Sequence, residues 1–369
     1  MATPIPPRNR QDFEIAIICA LPLEAKAVIA LFDRDWEAEG TRYGKAPGDP
    51  NAYAAGVIGE HNVVVAHMPG MMNVPATSIA AGLRASFECI KLALVVGICG
   101  GVPYGPRHKG EIFLGDVVIS QSLIQYDFRK QNSKVGERRD TLGDGRGRLP
   151  LEIRSMLAKL QTDYHQGRLQ NSTNHHLEEL QRKIPQATYP GREADRLFEP
   201  SYIHKHRDRS ICAVCGDEDG TGTCEGALRT TCRGLGCQGD RAISRNRPME
   251  YQEPMEAEAP LSSIHIGKMG SGDRVMKSGL HRDAIANEYG IIAFEMEGAG
   301  VWDHFPSIVI KGVCDYADSH KNNQWRQYAA ATAAACTRAL LNGWDSGKEM
   351  MEPGQSSVYS SQYSVLFRA

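Results

Sequence analysis

The sequence predicts an α/β protein with helices on both faces of a central sheet, and three observations carry that expectation. Short, almost continuously apolar runs recur along the chain, helical patterns alternate with them, and the alternation resumes after a long polar stretch. Apolar runs without an in/out alternation mark strands covered on both faces, because neither side of the pleat meets water. A sheet covered twice is a three-layer α/β/α architecture.

In chain order, "FEIAIICA" (13–20) reads as the first strand and "LEAKAVIALF" (23–32) as the helix behind it. Pro22 stands at the helix opening, where a missing N–H costs nothing. "NVVVAH" (62–67) and "ATSIAAGLRASF" (76–87) repeat the strand–helix pair, and "LALVVGI" (92–98) and "GDVVIS" (115–120) follow as strands. From 131 to 261 the pattern breaks into sequence rich in Arg, Gln, Glu and His, with helical signals at 151–161 and 175–184; it reads as a polar, Cys-containing insertion. The alternation returns with "SIHIGKM" (263–269), "GLHRDAIANEY" (279–289), "GIIAFEM" (290–296), "SIVIKGV" (307–313) and the helix "WRQYAAATAAACTRALLNGW" (325–344). Residues 1–12 read as a flexible lead, 13–130 and 262–344 as one α/β domain, and the Ser-rich 345–369 as a disordered tail.

The 369 residues are 41% hydrophobic and 23% charged, an ordinary soluble balance. Both signs of charge are mixed, with a net of -2, so neither a nucleic acid nor a membrane surface is expected as a partner. The apolar run after the proline-rich lead is too short for a signal peptide or a membrane span. Ten cysteines without a secretory signal point to thiols or metal ligands, and to a cytoplasmic or nuclear compartment.

Five of those cysteines, Cys212, Cys215, Cys224, Cys232 and Cys237, fall in one glycine-rich stretch with His204 and His206 just before it. The Cys212-x2-Cys215 pair followed by further cysteines fits a tetrahedral structural zinc, which would give shape to sequence too poor in apolar area to hold its own. Five thiols leave the ligand set open, and a loop of free thiols or a redox-formed bridge has the same pattern. Cys19, Cys99, Cys314 and Cys336 lie in apolar elements and read as small core residues.

The carboxylates are placed where core is expected. Glu295 and Glu297 close a buried strand at its carboxyl end, where open α/β sheets put their ligand crevice, and an ionised group there needs partners. Asp315 directly follows the apolar run 307–313 and reads either as a catalytic acid or as a turn cap. Glu24 falls in the first turn of the first helix, which the helix dipole alone would favour.

Together, "ICALPLEAKAV", "LALVVGICGGVP", "LGDVVIS", "GSGDRVMKSG", "AFEMEGAGVW" and "VIKGVCDYADSHKNNQW" resemble the purine nucleoside phosphorylase and uridine phosphorylase superfamily, which includes the methylthioadenosine and adenosylhomocysteine nucleosidases. The likeness is strongest to the fungal branch, often the amino-terminal part of larger immune-receptor-like proteins. It covers about residues 13–130 and 262–344, in the family's order. The resemblance implies a mixed, partly barrel-like sheet in an α/β/α sandwich and cleavage of the ribose–base N-glycosidic bond, with no organic cofactor or catalytic metal. Met296 and Glu297 are implied to contact the sugar, Glu297 accepting from two adjacent hydroxyls as a carboxylate can. Asp315 is implied to share a proton with the departing base, and Glu24 to activate water. Val275 and Met276 fall where nucleosidases place a stacking aromatic, so Phe294 is the candidate for that contact, with Asp273 closing the pocket. Backbone N–H groups of 97–101, Gly100 among them, can bind an anion.

One departure bears on the reaction. Ala20-Leu21-Pro22-Leu23-Glu24 stands where hexameric purine phosphorylases resemble a phosphate-holding Gly-Asp-Pro-Leu-Arg pattern, and Val95-Val96-Gly97-Ile98 where they have Arg-Val-Gly-Ser. A carboxylate in place of an arginine repels phosphate, so hydrolysis of a purine nucleoside or nucleotide is expected, with adenosine and ATP as candidate substrates. A phosphorolytic enzyme and a catalytically silent nucleotide sensor are the alternatives. Arg274, Lys277 and 126–130 are candidate contacts for a 5' group. A homo-oligomer is expected because proteins of this kind commonly complete their sites across subunits.

Overall fold

The protein is described from a computed structural model over residues 5–105, 110–127, 149–208, 210–215, 223–245, 261–321 and 323–344. Its elements in order are β1 (Ile15–Cys19), α1 (Pro22–Ile29), β2 (Arg34–Asp35), β3 (Ala52–Ile58), β4 (His61–His67), α2 (Asn73–Ser86), β5 (Leu92–Gly101) and β6 (Val117–Gln125). There follow α3 (Leu151–Leu160), α4 (Asp163–Lys183), α5 (Glu225–Arg229), β7 (Ile264–Ser271), α6 (Gly279–Tyr289), β8 (Ile291–Glu295), α7 (Gly298–Trp302), β9 (Ser307–Asp315) and α8 (Arg326–Leu341).

The strands form one mixed sheet in the order β2-β3-β4-β1-β5-β8-β7-β6-β9, and β9 pairs back onto β5. Strands β5, β8, β7, β6 and β9 therefore close into a five-membered ring, while β1 to β4 extend from it as an open wing. The partly barrel-like sheet is thus observed directly. Its junction is β5, whose first residues pair with β1 and β9 and whose last two, Gly100 and Gly101, pair with Phe294 and Ala293 of β8. A register shift at Cys99/Gly100 marks the corner. Glycine is required there: a Cβ on Gly101 would stand 2.7 Å from Val313 Cγ1.

Helix α8 fixes the position of β9. Almost every residue of its alanine-rich sequence is buried, so it lies inside the molecule rather than on its surface. Small side chains let it approach the sheet until backbones touch, and a Cβ on Gly312 would lie 1.9 Å from the Ala329 carbonyl oxygen. The sequence reading had no counterpart for β3, whose "AYAAGVI" is exposed at its start and buried at its end. It forms a hairpin with β4 through Gly59, at φ 62°.

The main core reaches into the span read as an insertion. Helix α4 packs along α8, and Ile153, Leu157, Leu169, Leu177, Leu180 and Ile184 join the core that β1, β5 and β9 build. The readings at 131–148 and 345–369 lie outside the described residues.

Candidate active site

The acidic site is assembled at the carboxyl ends of β1, β5, β8 and β9. Pro22 opens α1, and Glu24 at the third helical position reaches back so that its Oε2 accepts from the N–H groups of Ala20 (2.9 Å) and Leu21 (2.8 Å). Its Oε1 accepts from Ile98 N–H at 2.8 Å, tying α1 to β5. Glu24 is therefore both the helix cap and a buried carboxylate lying over Gly97, where a Cβ would come within 2.2 Å of Oε1.

Gly97 is paired in register with Lys311 of β9, which puts the lysine beside Glu24. Lys311 is wholly buried, and its ammonium donates to Glu297 Oε2 at 2.8 Å. The other oxygen of Glu297 receives only a long contact, 3.5 Å, from Met72 N–H. Glu295 serves the backbone instead, its Oε2 accepting from Glu297 and Gly298 N–H at 3.0 and 2.8 Å and so capping α7. Of the two glutamates in the Glu-Met-Glu element, one shapes the turn and the other faces the lysine.

Three buried carboxylates thus stand around one buried ammonium. Burial holds Glu24 above the ordinary glutamate range even though Lys311 and three backbone N–H groups pull the other way. Burial raises Glu295 in the same manner. For Lys311 burial alone would favour the neutral amine, but Glu297, Glu24 and Glu295 outweigh it and raise its pKa, so it stays charged.

Asp315 closes β9. Its Oδ1 accepts from Ala317 N–H at 2.8 Å, as a turn cap would, and its Oδ2 receives the Lys321 ammonium at 2.9 Å. Gly100 abuts it: a Cβ there would lie 2.9 Å from Asp315 Oδ1. Two non-glycine residues with left-handed backbone, Met72 (φ 96°) and Ala317 (φ 52°), flank Glu297 and Asp315, the kind of local strain that clusters at functional sites.

The structure brings Glu24 and Glu297 together around Lys311, sets Gly100 against Asp315 at the end of β9, and leaves Met296 half-buried next to Glu297. Phe294 is buried in a small second cluster with Val102, Tyr126, Met276 and Ala317, edge-on to Tyr126 at 5.3 Å between centroids. Val275 is exposed. Asp273 accepts from Asn73 N–H at 2.7 Å and so caps α2, the helix that Met72 precedes. Arg274 and Lys277 are exposed, while 128–130 fall outside the described residues. Lys311 had no place in the sequence reading, and Lys321 figured there only within "DSHK" (318–321), a stretch next to Asp315 with no mechanism assigned to it. A lone cation inside "SIVIKGV" was a legible signal for Lys311; nothing local marked Lys321 as the partner of Asp315.

The five cysteines, expected around a single metal, separate into two groups completed by histidines. One is His206, Cys212, Cys215 and Cys224; the other is His204, Cys232, Cys237 and His320. His320 lies on the loop that follows β9.

Residues 14–170 match the family model described as the Phosphorylase superfamily. A curated relative, a nucleotide-binding leucine-rich repeat (NLR)-like protein of Hyaloscypha variabilis, is 30% identical over 338 residues. The alignment takes in 90% of this chain but only 29% of that protein's length. Among solved structures, the 5'-methylthioadenosine/S-adenosyl homocysteine nucleosidase of Helicobacter pylori is 14% identical, with 90% of this chain and 99% of that chain covered and a TM-score of 0.48. The corresponding Streptococcus pneumoniae nucleosidase is 18% identical, with 90% and 100% covered and a TM-score of 0.48. The futalosine hydrolase of Helicobacter pylori is 15% identical, with 90% and 99% covered and a TM-score of 0.46. Over residues 14–170, then, this chain is similar to the phosphorylase superfamily, and the motifs that resemble that family continue in order from β1 to β9.

Proposed function

We propose that this domain hydrolyses the N-glycosidic bond of a purine nucleoside or nucleotide, with adenine as the base. One observation carries the choice of water over phosphate: Glu24, Glu295 and Glu297 are all buried around the single ammonium of Lys311, a surplus of negative charge that repels a phosphate dianion and tolerates neutral water.

In this reading Glu297, held by Lys311 through Oε2, keeps Oε1 for ribose hydroxyls. Glu24 Oε1, with one backbone donor, has a lone pair left to take a proton from water as the water oxygen bonds to C1'. The C1'–N9 bond breaks with its electron pair passing to the base, and Asp315, beside Lys321, is the group that shares a proton with that base. The raised pKa of Glu24 suits a base working closer to neutrality than a free glutamate.

The deciding experiment is chromatography of free adenine from adenosine, methylthioadenosine and ATP, with and without phosphate. Release indifferent to phosphate supports hydrolysis; strict phosphate dependence makes the domain a phosphorylase. Binding of all three without release makes it a sensor.

Two variants probe Glu24. Because Glu24 must be ionised to act and its pKa is raised, the acid limb of the kcat/KM profile is expected above the usual glutamate value, and Glu24→Gln should abolish that limb along with most activity. A Gly97→Ala change pushes a methyl into Glu24 Oε1, so turnover is expected to fall roughly 10²-fold with far-UV circular dichroism unchanged. Normal turnover in Gly97→Ala would remove Glu24 from the mechanism.

We also propose that α3 and α4 belong to the catalytic unit, since α4 packs on α8, and that the appended part begins after α4.

A further inference from the structure

We infer that the segment after α4 holds two separate tetrahedral metal ions, zinc by the chemistry of their donors, and that one of them staples this segment to the loop carrying Asp315. The first group is Cys3His and internal to the segment; the second is Cys2His2, with His204, Cys232 and Cys237 from the segment and His320 from beyond β9.

The separations are those of metal ligands. Bonds of about 2.3 Å to sulfur and about 2.0–2.1 Å to nitrogen, at tetrahedral angles, put the two donor atoms roughly 3.6 Å apart. Cys232 Sγ lies 3.7 Å from His204 Nδ1 and 3.5 Å from His320 Nδ1, and Cys237 Sγ lies 3.3 Å from His204 Nδ1. In the other group His206 Nδ1 is 3.5 Å from Cys215 Sγ and 3.4 Å from Cys224 Sγ. Within each group all four donor atoms fall inside 4.8 Å of one another.

The imidazoles of the second group are also oriented for a metal. His204 Nε2 lies 2.8 Å from the Thr230 carbonyl oxygen and 3.0 Å from that of Ala227, and His320 Nε2 lies 2.8 Å from that of Tyr202. A carbonyl only accepts, so the ring proton of each neutral histidine sits on Nε2 and the lone pair of Nδ1 points at the thiols. Carbonyls fixing the far nitrogen are the usual support of a metal-bound histidine. Two thiols with two imidazoles, or three with one, select zinc over hard cations that prefer oxygen.

The second ion has a consequence for the acidic site. His320 is five residues beyond Asp315, and its neighbour Lys321 donates to Asp315 Oδ2 at 2.9 Å. The same loop is held at Ser319, whose Oγ accepts from His204 N–H at 2.9 Å, and at Tyr316, whose hydroxyl meets Asp195 and Arg245. His320 is a positioning residue: through the metal it sets where Lys321, and with it Oδ2 of Asp315, is held.

The test uses the full chain expressed with zinc, and the variants Cys232→Ser and Cys215→Ser. Mass-spectrometric metal analysis should give two zinc per chain, and one in each variant. Cobalt(II) replacement should give tetrahedral thiolate spectra that change differently in the two variants. Amide exchange across 316–321 should quicken in Cys232→Ser and stay unchanged in Cys215→Ser. The effect on turnover rests on the proposed hydrolysis: kcat should fall roughly 10–100-fold in Cys232→Ser only, with KM little changed. Fewer than two zinc per wild-type chain, or loss of both ions from either variant, overturns the two-site assignment. Unchanged exchange in 316–321 overturns the staple. Should Cys232→Ser not fold, chelator titration of the wild type, following zinc release and exchange together, decides the same question. Metal content and exchange read out even if no base is released, so failure of the proposed reaction is separable from failure of this inference.

Discussion

Replacing Lys311 by methionine is expected to cost about 3–5 kcal/mol of stability, the usual penalty for stripping the partner from a buried ion pair. The change nearly conserves volume, so a cavity does not account for the loss. It leaves Glu297, paired at 2.8 Å in the native chain, with Glu24 and Glu295 and no cation among them. Against a typical total of about 5–15 kcal/mol, that loss is large. Its pH dependence identifies the cause. Burial already raises Glu24 and Glu295, so the folded chain binds their protons more tightly than the unfolded chain does. The stability this linkage adds is fully present below the unfolded glutamate pKa and is lost as pH rises through the folded values. Without the ammonium those values rise further, so the deficit of Lys311→Met should be small near pH 4 and full near pH 8. Urea unfolding at both pH values measures it, with Lys311→Arg as the charge-conserving control. An equal deficit at both would mean that Lys311 acts by packing alone.

Asp315→Asn is expected to lower kcat/KM for base release roughly 10²–10⁴-fold, the range for losing a positioned acid or base. The fold should survive, because an asparagine oxygen still accepts from Ala317 N–H, the 2.8 Å bond that caps the turn. What disappears is the charge that Lys321 meets at 2.9 Å and, in the proposed reaction, the site of the shared proton. Substrates whose leaving group needs no protonation should be spared, and rates on a purine and on such a substrate give the comparison. Equal losses on both would place Asp315 in binding rather than in proton transfer.

The elements of the fold were largely legible because each depends on neighbours in sequence. The apolar runs at 13–20, 92–98 and 307–313 are β1, β5 and β9, since a strand covered on both faces needs only its own side chains to announce it. Glu24 was legible as a helix-opening residue and as a candidate base, and the structure bears on the first: one oxygen caps the helix while the other accepts from Ile98 of β5. The edge strand β3 was not legible, because its alanines carry little pattern. The depth of the core in α4 was hidden by a mean composition dominated by its polar face.

The sequence by itself determined the layers, the family motifs and which side chains are chemically able to act. Tertiary structure alone decided their pairing: that Lys311 answers Glu297, that Lys321 answers Asp315, that Glu295 is a cap, and that five thiols divide between two groups with His320 drawn in from far along the chain. The physical reason is distance. Periodicity and capping are written within a few residues, whereas a buried charge or a metal ligand is satisfied by whatever the folded chain brings within about 3 Å of it, and only closure of the β5–β9 ring and the packing of α8 fix that.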